Sequence, residues 1–216
     1  PPDRRRPGAV KQFKKAGDII RADRARRYVV PSAPGKRNKN DEKVTDLLYA
    51  CYDAASTGAP YGKIFSRIKE RYNQIIEGLE LNLNLDFEFD RIEKNFIAAA
   101  GRDYAASRGE YLNGIIMSHY LGYDFIDAAD VIFFDENGTF LSEKTNAELA
   151  ERLSHSERAV IPGFYGAKPD GSIHTFSRGG SDITGSIVAR AIHADLYENW
   201  TDVSGFLVTD PRLVEN

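Results

Sequence analysis

The chain has 216 residues, of which 42% are hydrophobic, and a net charge of −3 with both signs interspersed. That length allows a sizeable buried core, as one large domain or two lobes. The weak charge offers no general attraction for nucleic acid, and the sequence has neither an apolar run that could cross a bilayer nor an opening like that of a signal peptide. The single cysteine, Cys51, excludes an internal disulfide and suits a reducing compartment, so we expect a cytoplasmic protein without membrane contact.

Helical and strand patterns alternate through the first third of the chain. Apolar spacing predicts a helix over residues 11–26, with Phe13 and Ala16 on its inner face. Residues 28–33 predict a short strand, and a basic loop over 34–40 leads to a second amphipathic helix over 41–57. Cys51 falls on the apolar side of that helix and is therefore interpreted as a small core residue.

The remaining segments favour an α/β fold. Residues 61–122 read as mostly helical, with strands at 131–133, 159–161 and 173–175. Pro169-Asp170-Gly171 is predicted as a hairpin turn between the last two of these strands. Strands that alternate with helices favour a mainly parallel sheet that is covered on both faces.

The segment around residue 180 has the outline of an anion site. Arg178, Gly179 and Gly180 precede Ser181-Asp182, and helical spacing starts at Ile183. Glycines let the backbone approach a ligand closely, and a helix N-terminus places free N–H groups and about half a positive charge there. A carboxylate or a phosphate fits this chemistry. The alternative is a turn followed by a helix that Ser181 or Asp182 caps.

A second loop strengthens the ligand interpretation. Residues 196–201 predict a short strand, with Trp200 as core, and the strand ends on Asp202 and a loop that contains Gly205. In open α/β sheets, ligands bind beyond the carboxyl ends of the strands. The two loops therefore predict one shared crevice.

Several ordered motifs over residues 10–216 resemble aspartate kinase, a member of the amino acid kinase superfamily. The strongest are Arg178-Gly179-Gly180-Ser181-Asp182, Trp200-Thr201-Asp202-Val203-Ser204-Gly205 and Thr209-Asp210-Pro211-Arg212. Earlier matches in the expected order are Val29-Val30 with Ser32-Ala33, Lys43-Val44-Thr45-Asp46-Leu47-Leu48, Ser107-Arg108-Gly109-Glu110 and Pro162-Gly163-Phe164.

The resemblance implies a three-layer αβα sandwich and transfer of the γ-phosphoryl group of ATP to the side-chain carboxylate of L-aspartate. A carboxylate nucleophile is already ionised at neutral pH and needs no general base. The difficulty is that one anion must approach another, so catalysis depends on positioning and on positive charge from Lys, Arg, Mg²⁺ and helix N-termini. Magnesium arrives with ATP, and a homodimer is a candidate assembly.

The resemblance also implies residue roles. Arg178 would hold a substrate carboxylate within the Gly179, Gly180 and Ser181 loop, and Asp182 would organise the catalytic lysine. For the amino acid, Thr45 would donate a hydrogen bond, Glu110 would accept from the ammonium group and Phe164 would form a wall. Ser32 would lie where the phosphate passes. The remaining nucleotide contacts would be Thr201, Asp202, Phe206, Asp210 and Arg212.

The sequence departs from the family pattern at its start. The family opens with a strand and a Lys-Phe-Gly-Gly segment, but residues 1–10 are rich in Pro and Arg, and Lys11, Lys14 and Lys15 belong to the first helix. We interpret 11–200 as the substrate lobe with a helical insertion at about 61–122, and 201–216 as the beginning of a nucleotide lobe, without regulatory domains. Because a missing lysine removes transition-state stabilisation, we expect weak ATP binding and little turnover.

Three alternatives stay open. A related amino acid kinase could act on glutamate or acetylglutamate, which a panel of acids would test. A folded but non-catalytic fragment would also fit the unusual start. A nicotinamide-dependent oxidoreductase is disfavoured because no G-x-G-x-x-G follows the first strand.

Overall fold

The computed structural model describes residues 8–37, 40–177 and 180–200. In chain order its elements are α1 (Gly8–Ala22), β1 (Tyr28–Val29), α2 (Val44–Ser56), α3 (Gly62–Gly78), α4 (Asp86–Ile97), α5 (Arg102–Leu121), β2 (Asp124–Phe125), α6 (Ala128–Val131), α7 (Ser142–Ser154), β3 (Ala159–Val160), β4 (Tyr165–Ala167), β5 (Ile173–Thr175) and α8 (Gly180–Ala191).

A parallel sheet with the order β1-β3-β2 confirms the α/β fold class. Tyr28 pairs with Ala159, and Asp124 pairs with the same residue from the other side. The ladder between β1 and β3 continues past the strands, because the Gly163 N–H donates to the Pro31 carbonyl at 3.2 Å. Proline has no backbone N–H donor, so Pro31 takes part in the pairing only through its carbonyl oxygen, as an acceptor. Ser32 and Phe164 therefore follow the carboxyl ends of neighbouring parallel strands.

The strand predicted at 131–133 is wrong. Val131 ends the short helix α6, whose first turn is capped by the Asp127 carboxylate, which accepts from the Ala129 N–H at 3.0 Å. Of these three residues only Phe133 makes a β-bridge, an isolated one to Ala167. Val131 and Ile132 are buried. The apolar run therefore indicated burial correctly, but it predicted the wrong backbone conformation.

The hairpin turn at Pro169-Asp170-Gly171 is confirmed, but its partner strand differs from the prediction. It joins β4 to β5, an antiparallel pair, and not β3 to β5. Asp170 Oδ1 accepts from the Ser172 N–H at 2.9 Å and from its hydroxyl at 2.6 Å, and Gly171 adopts a φ of 80°. Glycine takes this left-handed conformation without steric cost.

The helical middle of the chain is confirmed as α3, α4 and α5. Ile68, Tyr72 and Ile75 of α3 are buried, and Phe65, Phe89 and Phe96 make edge-to-face contacts about the centre of the core. Ile97, the last residue of α4, is 71% exposed. Cys51 is buried on α2 as expected, and desolvation raises the pKa of its thiol to about 12.

Helix α5 is the element that positions the site. Of its 20 residues, 14 are buried, since it packs between α2 and the strands β2 and β3. A Cβ on Gly109 would lie 3.1 Å from the Ala33 Cβ, so glycine lets α5 approach the loop that follows β1. None of the helices in the described part of the chain has the length and apolar character that a membrane span requires.

Candidate functional site

A cleft lies beyond the carboxyl ends of β1 and β3. Its volume is about 320 Å³, at the lower end of the range for small-molecule sites. Six of the residues predicted for the substrate, nucleotide or catalytic roles line it together with Ser177, which was not predicted: Ser32, Glu110, Phe164, Gly180, Ser181 and Asp182. Residues that are far apart in sequence thus converge on one site.

Glu110 supplies a buried carboxylate to this cleft. It is 8% exposed, and its Oε1 accepts from the Ala33 N–H at 3.2 Å. Its Oε2 is buried and has no hydrogen-bond partner. Burial raises the pKa of Glu110 from its ordinary value of 4.5 to about 7, against the opposing effects of the backbone N–H groups and Arg108. An unpaired buried carboxylate oxygen is costly, so it marks where a cationic donor would bind.

Asn113 holds the loop that carries Ser32. Its Nδ2 donates to the Ser32 carbonyl at 2.6 Å, and its Oδ1 is buried without a partner. Glu110 and Asn113 lie one helical turn apart, so a single face of α5 fixes both Ser32 and Ala33. The sequence prediction missed Asn113, although its spacing of three residues from Glu110 could have indicated it.

Phe164 is held in a strained conformation at the cleft wall. Its φ of 83° is in the left-handed region, which costs a bulky residue of the order of 1–3 kcal/mol. The Phe164 N–H donates to the Thr184 hydroxyl at 3.0 Å, and its carbonyl accepts from the Phe176 N–H at 2.8 Å. The Thr184 hydroxyl donates in turn to the Gly180 carbonyl at 2.9 Å, which links the wall to the start of α8.

The N-terminus of α8 faces the cleft through Gly180, Ser181 and Asp182. A Cβ on Gly180 would lie 2.5 Å from Phe164 Cδ2, so only glycine fits there. Ser181 packs closely against the loop that follows β3. A Cβ on Gly163 in that loop would lie 2.7 Å from the Ser181 hydroxyl oxygen. Because both Ser181 and Asp182 are inside the first turn, neither caps the helix as the alternative interpretation required.

The described residues of the cleft contribute negative and not positive side-chain charge. Glu110 and Asp182 are its ionisable lining residues. The α8 N-terminus adds a partial positive charge. Arg178 and Gly179 lie outside the described residues, and the cleft-lining residues Ser177 and Gly180 flank them in sequence.

Thr45 is not among the residues that line the cleft. It lies half-buried in the first turn of α2, next to Val44, whose side chain packs near Gly109. Its predicted role would need a ligand that extends beyond the cleft.

The last predicted segment is tested only in part. Residues 196–200 are irregular rather than strand, and Trp200 is 63% exposed rather than core, with the Arg26 guanidinium 5.7 Å from its ring. The five predicted nucleotide contacts beyond it lie outside the described residues: Thr201, Asp202, Phe206, Asp210 and Arg212. Within the described ranges, no group of three or more His, Cys, Asp or Glu side chains could hold a metal ion.

Comparison with known proteins gives consistent matches. Residues 16–216 match the model of the amino acid kinase family. Aspartokinase 3 of Bacillus subtilis is 34% identical over 222 residues, which covers 95% of this chain and 48% of the relative. The chain spans about half the length of the curated relatives it matches.

Solved structures agree with the fold. The aspartate kinase of Clostridium acetobutylicum superposes with a TM-score of 0.88 at 51% identity, over 96% of this chain and 48% of that one. Escherichia coli aspartokinase III in complex with aspartate and ADP has a TM-score of 0.75 at 25% identity, over 94% of this chain and 48% of that one.

Proposed function

Because this chain belongs to the amino acid kinase family, we propose that it carries the L-aspartate site of an aspartate kinase, which transfers the γ-phosphoryl group of ATP to the β-carboxylate. One observation carries the choice of an amino acid as ligand. The Glu110 carboxylate, with one oxygen unpaired, lines a cleft at the carboxyl ends of parallel strands. The aspartokinase relatives, one of them solved with aspartate and ADP, support the choice of aspartate.

The α-ammonium group of aspartate binds Glu110 in this proposal. A charge-assisted hydrogen bond to Oε2 would satisfy the buried oxygen and offset the desolvation of the carboxylate. Phe164 forms the wall that excludes water from this end of the ligand. Thr45, which is outside the cleft lining, donates a further hydrogen bond to the part of the amino acid that extends beyond the cleft.

The carboxylates of the ligand require the positive end of the cleft. Arg178 binds one of them, and Gly179, Gly180 and Ser181 present backbone N–H groups at the start of α8. We assign to Asp182, an exposed residue of the same turn, the role that the family resemblance implies, which is to orient the lysine of the Lys-Phe-Gly-Gly segment that residues 1–10 lack. The nucleophile needs no base, so these groups act by positioning and by electrostatic stabilisation.

ATP, with Mg²⁺, is the phosphoryl donor that we propose. Ser32 lies on the path of the transferred phosphate, and Thr201, Asp202, Phe206, Asp210 and Arg212 contact the nucleotide. We further propose a cytoplasmic enzyme that acts as a homodimer on its small-molecule substrate.

Ligand binding tests the proposal without relying on turnover by the chain. L-aspartate, D-aspartate and L-glutamate are titrated separately into ¹⁵N-labelled protein. We expect L-aspartate to bind most tightly and to shift the amide signals of Ser32, Ala33, Phe164 and Ser181, because these residues surround the cleft. Tighter binding of L-glutamate would transfer the proposal to another acidic substrate, and shifts remote from the cleft would overturn it.

A further inference from the structure

A second cleft shares no lining residue with the Glu110 cleft. Its volume is about 280 Å³, and its polar lining includes side chains from α4, α5, the α6 cap and the β4–β5 turn: Arg91, Asn95, Tyr104, Arg108, Asp127 and Ser172. None of the roles assigned above uses this cleft.

Arg108 is the unusual member of the lining. It is 3% exposed, and its Nε and Nη2 donate to the Ser107 hydroxyl at 3.1 and 2.9 Å. Three aromatic rings surround the guanidinium, with centroids 4.5 Å away for Tyr104, 4.4 Å for Tyr111 and 5.2 Å for Tyr165. Among the described residues, no carboxylate lies within ion-pair distance of it.

This environment leaves the Arg108 charge incompletely compensated. Buried arginines are normally paired with a carboxylate, because removing a full charge from water is costly. Tyrosine faces attract the cation, but they accept none of the planar N–H bonds of a guanidinium. Among the described residues, the Ser107 hydroxyl accepts from two of the five N–H groups, and the other three are free to bind an acceptor in the cleft.

Neighbouring groups favour an anion as that acceptor. Arg91 lines the same cleft as a second cation, and its Nη2 donates to Glu88 Oε2 at 2.6 Å and to the Tyr111 hydroxyl. Asp127 is the acidic lining residue, and its Oδ1 accepts from the Tyr165 hydroxyl at 2.7 Å and from the Ala129 N–H at 3.0 Å. Two guanidinium groups around one cavity suit the forked binding of oxygen pairs.

We propose that the cleft between α4, α5 and the β4–β5 turn binds a small oxyanion, a carboxylate or a phosphate, whose oxygens bind Arg108 and Arg91. The site is independent of the Glu110 cleft and does not rest on the function proposed above. A purely structural cluster of arginine and tyrosines is the competing explanation, and it predicts no ligand.

The test is a titration of the ¹⁵N-labelled chain with inorganic phosphate and, separately, with malonate, at constant ionic strength maintained with sodium chloride. We expect saturable shifts of the Arg108 Nε–H signal and of the backbone amides of Ser172 and Ile173. Saturation by one probe alone would identify the ligand class, and saturation by both would support a general oxyanion site.

Substitutions of single arginines distinguish anion binding at this site from nonspecific effects of charge. Arg91→Gln keeps the buried core intact and should weaken binding by about tenfold, the loss of one charge-assisted contact. Arg108→Lys should abolish saturable binding. Arg67→Gln removes an exposed arginine paired with Glu42 and should leave binding unchanged.

Absence of saturable shifts in the wild-type chain would overturn the proposal. Equal affinity in Arg91→Gln and the wild type would also overturn it, since this variant avoids the buried Arg108 and its folding can be checked directly. Shifts confined to the first turn of α8 would place the anion in the Glu110 cleft and would overturn it too, while supporting the function proposed above.

Discussion

Glu110 couples ligand binding to pH, because only its ionised form can bind an ammonium group. With a pKa of about 7, the carboxylate is mostly protonated at pH 6 and mostly ionised at pH 8. The dissociation constant for L-aspartate should therefore fall about tenfold between these pH values and level off above them. Calorimetric titrations across this range measure it. Glu110→Gln should bind weakly with a flat profile, and a wild-type affinity that fell as pH rose would contradict the assigned role.

The same residue should affect stability with the opposite dependence on pH. A raised pKa in the folded state means that folding favours the protonated form, so its contribution is fully present below pH 4.5 and is lost as pH rises through 7. The loss amounts to at most about 3 kcal/mol. Urea unfolding of the unliganded chain at pH 5 and pH 8 should show a smaller loss for Glu110→Gln than for the wild type. Equal losses in the two proteins would indicate that Glu110 titrates normally.

Two substitutions of Phe164 distinguish the effect of backbone strain from the effect of ligand contact. Phe164→Gly removes the wall and also relieves the positive φ, whereas Phe164→Ala removes the wall and retains the strain. Both variants should bind L-aspartate more weakly. The glycine variant should be more stable than the alanine variant by about 1 kcal/mol in chemical unfolding. Equal stability would mean that the backbone at this position is not strained.

At the scale of elements, α5 acts as a rigid support for the cleft. Asn113→Ala removes the hydrogen bond to the Ser32 carbonyl and should weaken L-aspartate binding by about three- to tenfold, about 1 kcal/mol, through misplacement of the loop. Amide exchange at Ala33 should accelerate at the same time, since its bond to Glu110 depends on the same loop.

A matched control distinguishes positioning from general destabilisation of the helix. Ser118→Ala removes a buried hydroxyl of α5 that bonds only within the helix, to the Ile115 carbonyl at 2.8 Å. It should change neither the affinity nor the exchange of Ala33. An Asn113→Ala variant that behaved like Ser118→Ala would exclude a positioning role.

The elements differ in how well their sequences predicted them. Helices α2 and α3 are long enough to show their apolar spacing and were therefore predicted correctly, whereas α5 is buried on nearly all sides and shows no apolar stripe. The strands have only two or three residues, too few to show alternation, so β2 and β4 were missed and Val131 was assigned to a strand. Tertiary pairing, which a local pattern does not contain, defines these strands.

At the scale of the molecule, parallel topology explains why several residues predicted for the site line one cleft. Ser32 and Phe164 each follow a strand, and the carboxyl ends of parallel strands share an edge of the sheet. Their place in the prediction came from the family resemblance and not from local patterns. Asn113 and Ser177 were missed because a local sequence pattern does not show which face of α5, or which end of β5, lies at the cleft. Thr45 belongs to a motif that resembles the family, but it is not among the residues that line the cleft.

The second cleft was invisible to sequence reasoning for the same physical reason. Arg108 belongs to a motif quoted for the Glu110 site, yet the two side chains project to different clefts from one helix. A spacing of two residues places them on different faces, and only the packing of Tyr104, Tyr111 and Tyr165 creates the second environment.

The central claim is that Glu110 recognises the ammonium group of a bound amino acid, and one thermodynamic cycle tests it most directly. Calorimetry at pH 8 compares L-aspartate with succinate, which lacks only that ammonium group, in the wild-type chain and in Glu110→Gln. We predict that the wild type favours L-aspartate by about 30-fold, about 2 kcal/mol, and that the variant hardly distinguishes the two ligands. A variant that retained the full preference for L-aspartate would contradict the account.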